Sequence, residues 1–184
     1  MRLVIGVSGG SGAIYAVGLL QALKQLGIET HLVMSKMGEA VVNHECSFTR
    51  QDISGMVDHF YESSDLFAPI ASGTFKTDGM IIVPCSMKTL AAIATGYSDS
   101  LLTRSADVVL KEGRKLVIVP RETPYNQIHL ENMLKLSKMG VTIMPASPGF
   151  YNHPDTITDI VSAMVSKILD AFSIEHTLVA RWGE

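Results

Sequence analysis

Four short segments concentrate the residue types that hold phosphate or carry protons. Gly6-Val7-Ser8-Gly9-Gly10-Ser11-Gly12-Ala13 permits close backbone approach and offers two hydroxyls. A helix starting there would add N–H groups for an anion, although a tight turn without a ligand has the same composition. Pro84-Cys85-Ser86-Met87-Lys88-Thr89 places two more hydroxyls and a cation where a second helix would begin. Its cysteine reads as inert packing, because no base stands beside it. Pro120-Arg121-Glu122-Thr123-Pro124 follows a strongly apolar run. Arg121 suits a phosphate clamp and Glu122 proton transfer, with a solvated ion pair as the plain alternative. Pro145-Ala146-Ser147-Pro148-Gly149-Phe150-Tyr151 adds a phenol that packing would explain equally well. Arg104 and Lys111 lie seven apart, on one face of a helix, and Lys167 borders an apolar stripe where a snorkelling side chain is the ordinary reading.

Stricter motifs fail on spacing. A dinucleotide G-x-G-x-x-G would need glycine where Tyr15 stands, and a P-loop would need Gly-Lys where the chain has Ser11-Gly12. The run after Thr30 ends Met34-Ser35-Lys36, with no acid to hold an adenosine ribose, which favours a mononucleotide. His129-Leu130-Glu131 has the H-x-E half of a zinc deaminase without the P-C-x-x-C that must follow it. No histidine pair has ligand spacing within one element, so no metal site is expected.

The elements that must position these segments are legible from periodicity. Apolar, β-branched runs at Leu3–Val7, Thr30–Met34, Met80–Val83, Leu116–Val119 and Val141–Met144 read as strands, with a weaker sixth around His59–Tyr61. Between them Ala16, Leu19, Leu20 and Leu23 have helical spacing. So does the stripe Ile157, Ile160, Val161, Met164, Val165, Ile168, Leu169 and Phe172, for which Asp155 or Thr156 can be the cap. Residues 87–96, 101–112 and 126–139 also read as helices. The alternation predicts one three-layer, doubly wound Rossmann-like α/β domain over residues 1–184, with strand order 3-2-1-4-5-6 and ligands at the carboxyl ends of the strands. All four chemical segments fall at such ends.

Composition narrows the function. Fifteen basic against 18 acidic residues give a net charge of −3, which disfavours a general nucleic-acid surface. Apolar residues make up 47% of the chain and mean hydropathy is +0.25, yet no run approaches the ~20 residues of a membrane span. The N-terminus enters its glycine-rich loop too early for a secretory h-region. Two cysteines, Cys46 and Cys85, form neither a metal pattern nor a disulfide framework, so the expected setting is the cytoplasm. The apolar surplus points to strands covered on both faces and to subunit interfaces.

Taken together, the segments resemble the UbiX-like flavin prenyltransferases, a family once described as aromatic-acid decarboxylases. The resemblance spans essentially the whole chain. It is carried by Gly9-Gly10-Ser11-Gly12-Ala13, Pro84-Cys85-Ser86, Ala106-Asp107-Val108, Leu110-Lys111-Glu112, Pro120-Arg121-Glu122, the run from Ile128 to Leu136, Pro148-Gly149-Phe150-Tyr151 and Arg181-Trp182-Gly183-Glu184. Phe75 to Met80 with Ser86 to Thr89 is most similar to the branch partnered with hydroxyaryl-acid decarboxylases.

The resemblance implies transfer of a dimethylallyl group from dimethylallyl monophosphate to N5 and C6 of reduced FMN. The prenylated FMN would serve a separate UbiD-like decarboxylase. It further implies that Gly9, Gly10, Ser11, Ser35, Ser86, Met87, Lys88, Thr89 and Arg121 hold FMN, and that Arg104, Lys111, Arg121, Glu122, Tyr151 and Lys167 surround the prenyl phosphate. Glu122, Lys111 and Ser11 would be catalytic. A monophosphate donor fits a pocket without a carboxylate cluster for Mg²⁺. The implied assembly is a homo-oligomer, a dodecamer built of trimers. Lys167 stands where the family commonly has arginine, and Leu66-Phe67 where an aromatic follows Asp65. Two other readings remain open: an FMN-dependent decarboxylase acting directly on substrate, with His44 as its histidine, and a non-catalytic flavin carrier.

Overall fold

The computed structural model describes residues 1–181 and 183; Trp182 and Glu184 of the C-terminal motif lie outside the described residues. The five strong apolar runs and the weak one all become strands. They are β1 (Arg2–Val7), β2 (Glu29–Met34), β3 (His59–Tyr61), β4 (Gly79–Cys85), β5 (Lys115–Pro120) and β6 (Thr142–Ile143). Each pairing is parallel and the order is β3-β2-β1-β4-β5-β6, as the alternation predicts. The last run shortens to two residues, with Val141 buried beneath the preceding helix turn.

Alternate residues of the central strands feed two cores. Leu3, Ile5 and Val7 of β1, Ile81 and Val83 of β4, and Val117 and Val119 of β5 face one helical layer. Val4, Met80, Ile82, Cys85, Leu116 and Ile118 face the other. Burial on both faces is why these strands read as continuous apolar runs. The first layer holds α1 (Ala13–Gln25), α2 (Lys36–Cys46), α3 (Arg50–Ser54) and α7 (Ile157–Ala171). Gly18 lets α1 and α7 meet closely, since a Cβ there would lie 2.7 Å from Val161 Cγ1. The second layer holds α4 (Met87–Thr95), α5 (Leu101–Lys111), α6 (Gln127–Lys138) and a single 3-10 turn at Pro69–Ala71. Thr156 rather than Asp155 caps α7, sharing a capping box with Asp159.

Two helices escaped the sequence reading, α2 and α3. Only Gly38 and Val42 of α2 are buried, so it carries no apolar stripe to betray a helical period. Five-residue α3 buries Ile53 alone. Among the described residues no helix is long and apolar enough to cross a membrane.

The strand order reverses between β1 and β4, and the loops leaving these strands diverge there. Backbone hydrogen bonds stitch the carboxyl ends together across the sheet. Ser35 N–H donates to Val7 O (2.9 Å), Ser8 N–H to Pro84 O (3.2 Å), Arg121 N–H to Cys85 O (3.2 Å) and Ala146 N–H to Pro120 O (3.1 Å). The four chemical loops are therefore held as one rim.

Candidate functional site

Three helices point their N-termini into one cavity of about 560 Å³ at that rim. Each begins on a serine cap. Ser35 accepts from Gly38 N–H (3.0 Å), Ser86 from Thr89 N–H (3.4 Å) and Ser100 from Thr103 N–H (3.4 Å). Ser35, Lys36 and Met37 of α2, Ser86, Lys88 and Thr89 of α4, and Ser100, Leu102 and Thr103 of α5 line the space. Three positive helix ends with hydroxyls and N–H donors have the chemistry that suits an anion such as a phosphate group. The contribution of α5 was missed in the sequence, although Ser100 and Thr103 have the spacing of a capping pair.

Close backbone approach builds the walls. A Cβ on Gly9 would sit 2.6 Å from Met37 Cβ, and one on Gly38 would sit 2.5 Å from Val7 O. Ser8, 1% exposed, locks the floor: its hydroxyl accepts from Ser86 N–H (2.7 Å) and donates to Pro84 O (3.1 Å). Gly10 is buried against Pro84 and Cys85 and so supports the loop behind the cavity. Met87 is half-buried at the start of α4. Cys85 is fully buried and burial pushes its thiol up to about 12, in keeping with inert packing.

The first loop differs from expectation. The N–H groups of Gly12 and Ala13, read above as phosphate donors, both donate to Glu45 Oε2 on α2 at 2.9 Å. Gly12 adopts φ +98° to begin α1, a conformation that favours glycine. Burial pushes the Glu45 carboxyl upward, but the Ser11 hydroxyl, the two N–H groups and nearby Arg121 outweigh it and hold it below the usual range. Arg121 Nε donates to Ser11 O (3.2 Å), and Glu122 accepts from Thr123 N–H (2.9 Å). Ser11, Glu45 and Arg121 thus form a charged lip beside the cavity. Glu45 was missed because its helix was.

Of the other three expected cations, Arg104 stands in the first turn of α5 and two lie at the amino end of the sheet. Arg104 donates to Ala71 O (3.2 Å) and pairs with Asp107 (2.7 Å), while Lys111 ends α5 over Gly73 and pairs with Glu112. They do share a helix face, as their spacing implies. Lys111, however, sits at the amino end of the sheet, and the six residues of β5 put Arg121 about 20 Å away at ~3.3 Å per residue. Lys167 is exposed one turn before the end of α7, which also lies at the amino end, where Ala171 O accepts from Lys115. Tyr151 is 56% exposed in the loop after β6.

Three carboxylates line the cavity, Glu39, Glu62 and Asp99. Arg50 engages Glu39 and Glu62. These acids do not gather as a metal cluster. Among the described residues the one such group is Glu29, His31 and His59, at the amino end of β2 and β3. His129 serves as the capping partner of Asn126.

A parallel doubly wound sheet with a phosphate cavity at its switch point defines a nucleotide-binding α/β protein, and the flavoprotein family profile matches residues 1–169. The UbiX flavin prenyltransferase of Halalkalibacterium halodurans is 52% identical over 190 residues, covering 98% of this chain and 92% of the relative. The dodecameric FMN-dependent UbiX-like decarboxylase of Escherichia coli O157:H7 superposes with TM-score 0.98 at 52% identity, covering 100% of both chains. AnUbiX (PadA1), solved with FMN and dimethylallyl pyrophosphate, superposes with TM-score 0.98 at 44% identity over 100% of this chain and 97% of its own. The chain belongs to the flavoproteins and, within them, to the UbiX-like flavin prenyltransferases.

Proposed function

We propose that this chain, acting as one flavin-binding unit over residues 1–184, joins the dimethylallyl group of dimethylallyl monophosphate to N5 and C6 of reduced FMN. The product is prenylated FMN for a UbiD-like (hydroxy)aryl-acid decarboxylase. The observation that carries the reading is the convergence of three capped helix N-termini beside the Ser11–Glu45–Arg121 lip.

The residues fit FMN. A terminal phosphate matches the caps Ser35, Ser86 and Ser100 with Lys88 and Thr89, and Gly9 lets the first loop close against Met37 at the cavity wall. Reduced FMN, when bound, supplies the nucleophilic N5 and C6. Arg121, tethered through Nε, keeps its remaining guanidinium N–H groups for an anion at the lip. Breaking an allylic C–O bond without a metal requires fixed cations for the departing phosphate. Glu122 would exchange the protons: N5 and C6 each give one up as they bond, the prenyl double bond takes one up before C6 joins it, and the remaining one leaves with the phosphate, with Glu45 as a second carboxylate held by Gly12, Ala13 and Ser11.

Arg104, Lys111 and Lys167 serve the prenyl phosphate from neighbouring copies in a homo-oligomer, dodecameric like the E. coli relative, because the fold of one chain sets Lys111 and Lys167 at the wrong end of the sheet. Tyr151 reaches the same place from the exposed loop after β6. Half-buried Cys46 and buried Cys85, both unpaired, suit a reducing cytoplasm.

The test is the mass of flavin recovered after anaerobic incubation with reduced FMN and dimethylallyl monophosphate. A gain of one prenyl unit is expected. Unmodified FMN, or CO₂ released directly from an aryl or cysteinyl acid, would overturn the reading. Co-assembly of Lys111→Ala with Glu122→Gln chains should recover part of the activity that each lacks alone, since some sites then combine two intact halves.

A further inference from the structure

The outer face of α5 and the segment 71–77 form a shelf that organises cations. Arg114, 12% exposed at its side chain, donates to Gly73 O (2.6 Å), Phe75 O (2.9 Å) and Thr77 Oγ1 (3.2 Å) and so pins the segment. Arg104 donates to Ala71 O two residues earlier. Above the pinned backbone lies the Lys111–Glu112 pair, with Glu112 Oε2 also 4.0 Å from Arg114. The pair rests directly on Gly73. A Cβ there would lie 2.1 Å from Glu112 Oε1 and 2.8 Å from Lys111 Nζ, so any side chain at this position would push the two flexible ends from their present places. Lys111 lies at a helix end and nearly half exposed, where an unrestrained four-carbon stem would sample many rotamers.

We propose that Glu112, seated over Gly73, is a positioning residue that holds the Lys111 ammonium ready for the phosphate of the prenyl donor. The proposal rests on the reading of Lys111 as a donor-phosphate cation and names what places it. Glu112 touches no reacting atom. It acts by restricting Lys111 before the donor arrives, so that less side-chain freedom is lost on binding. The Lys111 ammonium, and secondarily Arg114, keeps the Glu112 carboxyl below its ordinary range, so the restraint is charged at neutral pH.

The experiment is steady-state prenylation by the assembled enzyme with saturating reduced FMN and varied dimethylallyl monophosphate. Glu112→Gln should raise KM for the donor about 2- to 10-fold, the range expected for freeing one long side chain, while kcat and the Kd for FMN hold within about two-fold. Glu112→Asp should restore most of the loss, and Gly73→Ala should raise KM in the same direction by displacing the pair. An unchanged KM in Glu112→Gln alongside a raised KM in Lys111→Ala would refute positioning by Glu112. A shift of KM, kcat and FMN affinity together would show a structural role and refute it equally. An unchanged KM in Lys111→Ala would instead refute the reading of Lys111 itself.

Discussion

The two ends of the sheet use similar residue types to opposite effect. At the amino end, polar groups are spent on one another. Arg2 Nε donates to Glu29 Oε1 (2.7 Å) and its guanidinium lies 4.6 Å from the Phe75 ring. His31, 2% exposed, is held by Glu29 (3.0 Å) and Tyr61 Oη (2.8 Å) and stacks on His59 with centroids 4.5 Å apart. At the carboxyl end, three serine caps and two lysines surround open volume, with Arg121 bound to Ser11 at the lip. The paired charges of this sheet edge support the fold, whereas the donors round the cavity face a space that a ligand can fill. The comparison teaches that placement round open volume, more than residue type, separates this sheet edge from the cavity. It also explains why Glu29, His31 and His59, which have ligand-type atoms within 4.8 Å of one another, read as an ion-paired sheet edge.

Substitutions round the cavity and in the Glu29 edge should therefore act differently. The largest effect belongs to Glu122→Gln, which should cut the prenylation rate about 10²–10⁴-fold while FMN remains bound, as read by single-turnover kinetics and flavin co-elution. A flavin carrier without catalysis would show no such loss. Arg121→Ala comes next. Losing charged hydrogen bonds should weaken flavin or donor binding roughly 10- to 150-fold, measured by fluorescence titration, and equal affinity would erase the distinction between the ends. Ser86→Ala removes the cap of α4 and a partner of Ser8, so Tm should drop about 2–4 °C for about 1 kcal/mol, with weaker FMN binding.

The smallest effect lies at the amino end and appears only in acid. Arg2, then His31, hold the Glu29 carboxyl down to about 2 from an ordinary 4.5, and burial lowers His31 from 6.5 despite Glu29. Both folded-state values are depressed. The stability they contribute is therefore complete above 6.5, starts to fall below it through His31, and falls further between 4.5 and about 2 through Glu29. Glu29→Gln should flatten the Tm profile in that lower window and leave neutral-pH FMN affinity unchanged. A change in flavin affinity there would couple the two ends.

Much of this was legible in the chain. Strands β1, β4 and β5 carry apolar runs because both faces are covered, and the helices α1 and α7 carry clear stripes. Gly9, Ser86, Lys88 and Thr89 were recognisable as cavity residues because they follow strand ends in a doubly wound order, and Ser35 through the family resemblance. Glu45 was not, since α2 lies on the surface with two buried residues and shows no apolar period. The loop from Gly9 to Gly12 was read correctly as a place of close approach, but its N–H groups proved committed to a carboxylate 33 residues away.

The sequence alone determined the architecture and the end of the sheet where chemistry belongs, because periodicity and strand-end composition are local and survive in one dimension. Only the tertiary structure decided which donors remain available. It filled the α1 N-terminus with Glu45, brought α5 alongside α2 and α4 at the cavity, and carried Lys111 and Lys167 to the far end of the sheet. Hydrogen-bond saturation and the direction of a helix relative to its neighbouring strands depend on partners distant in sequence, and no spacing along the chain encodes them.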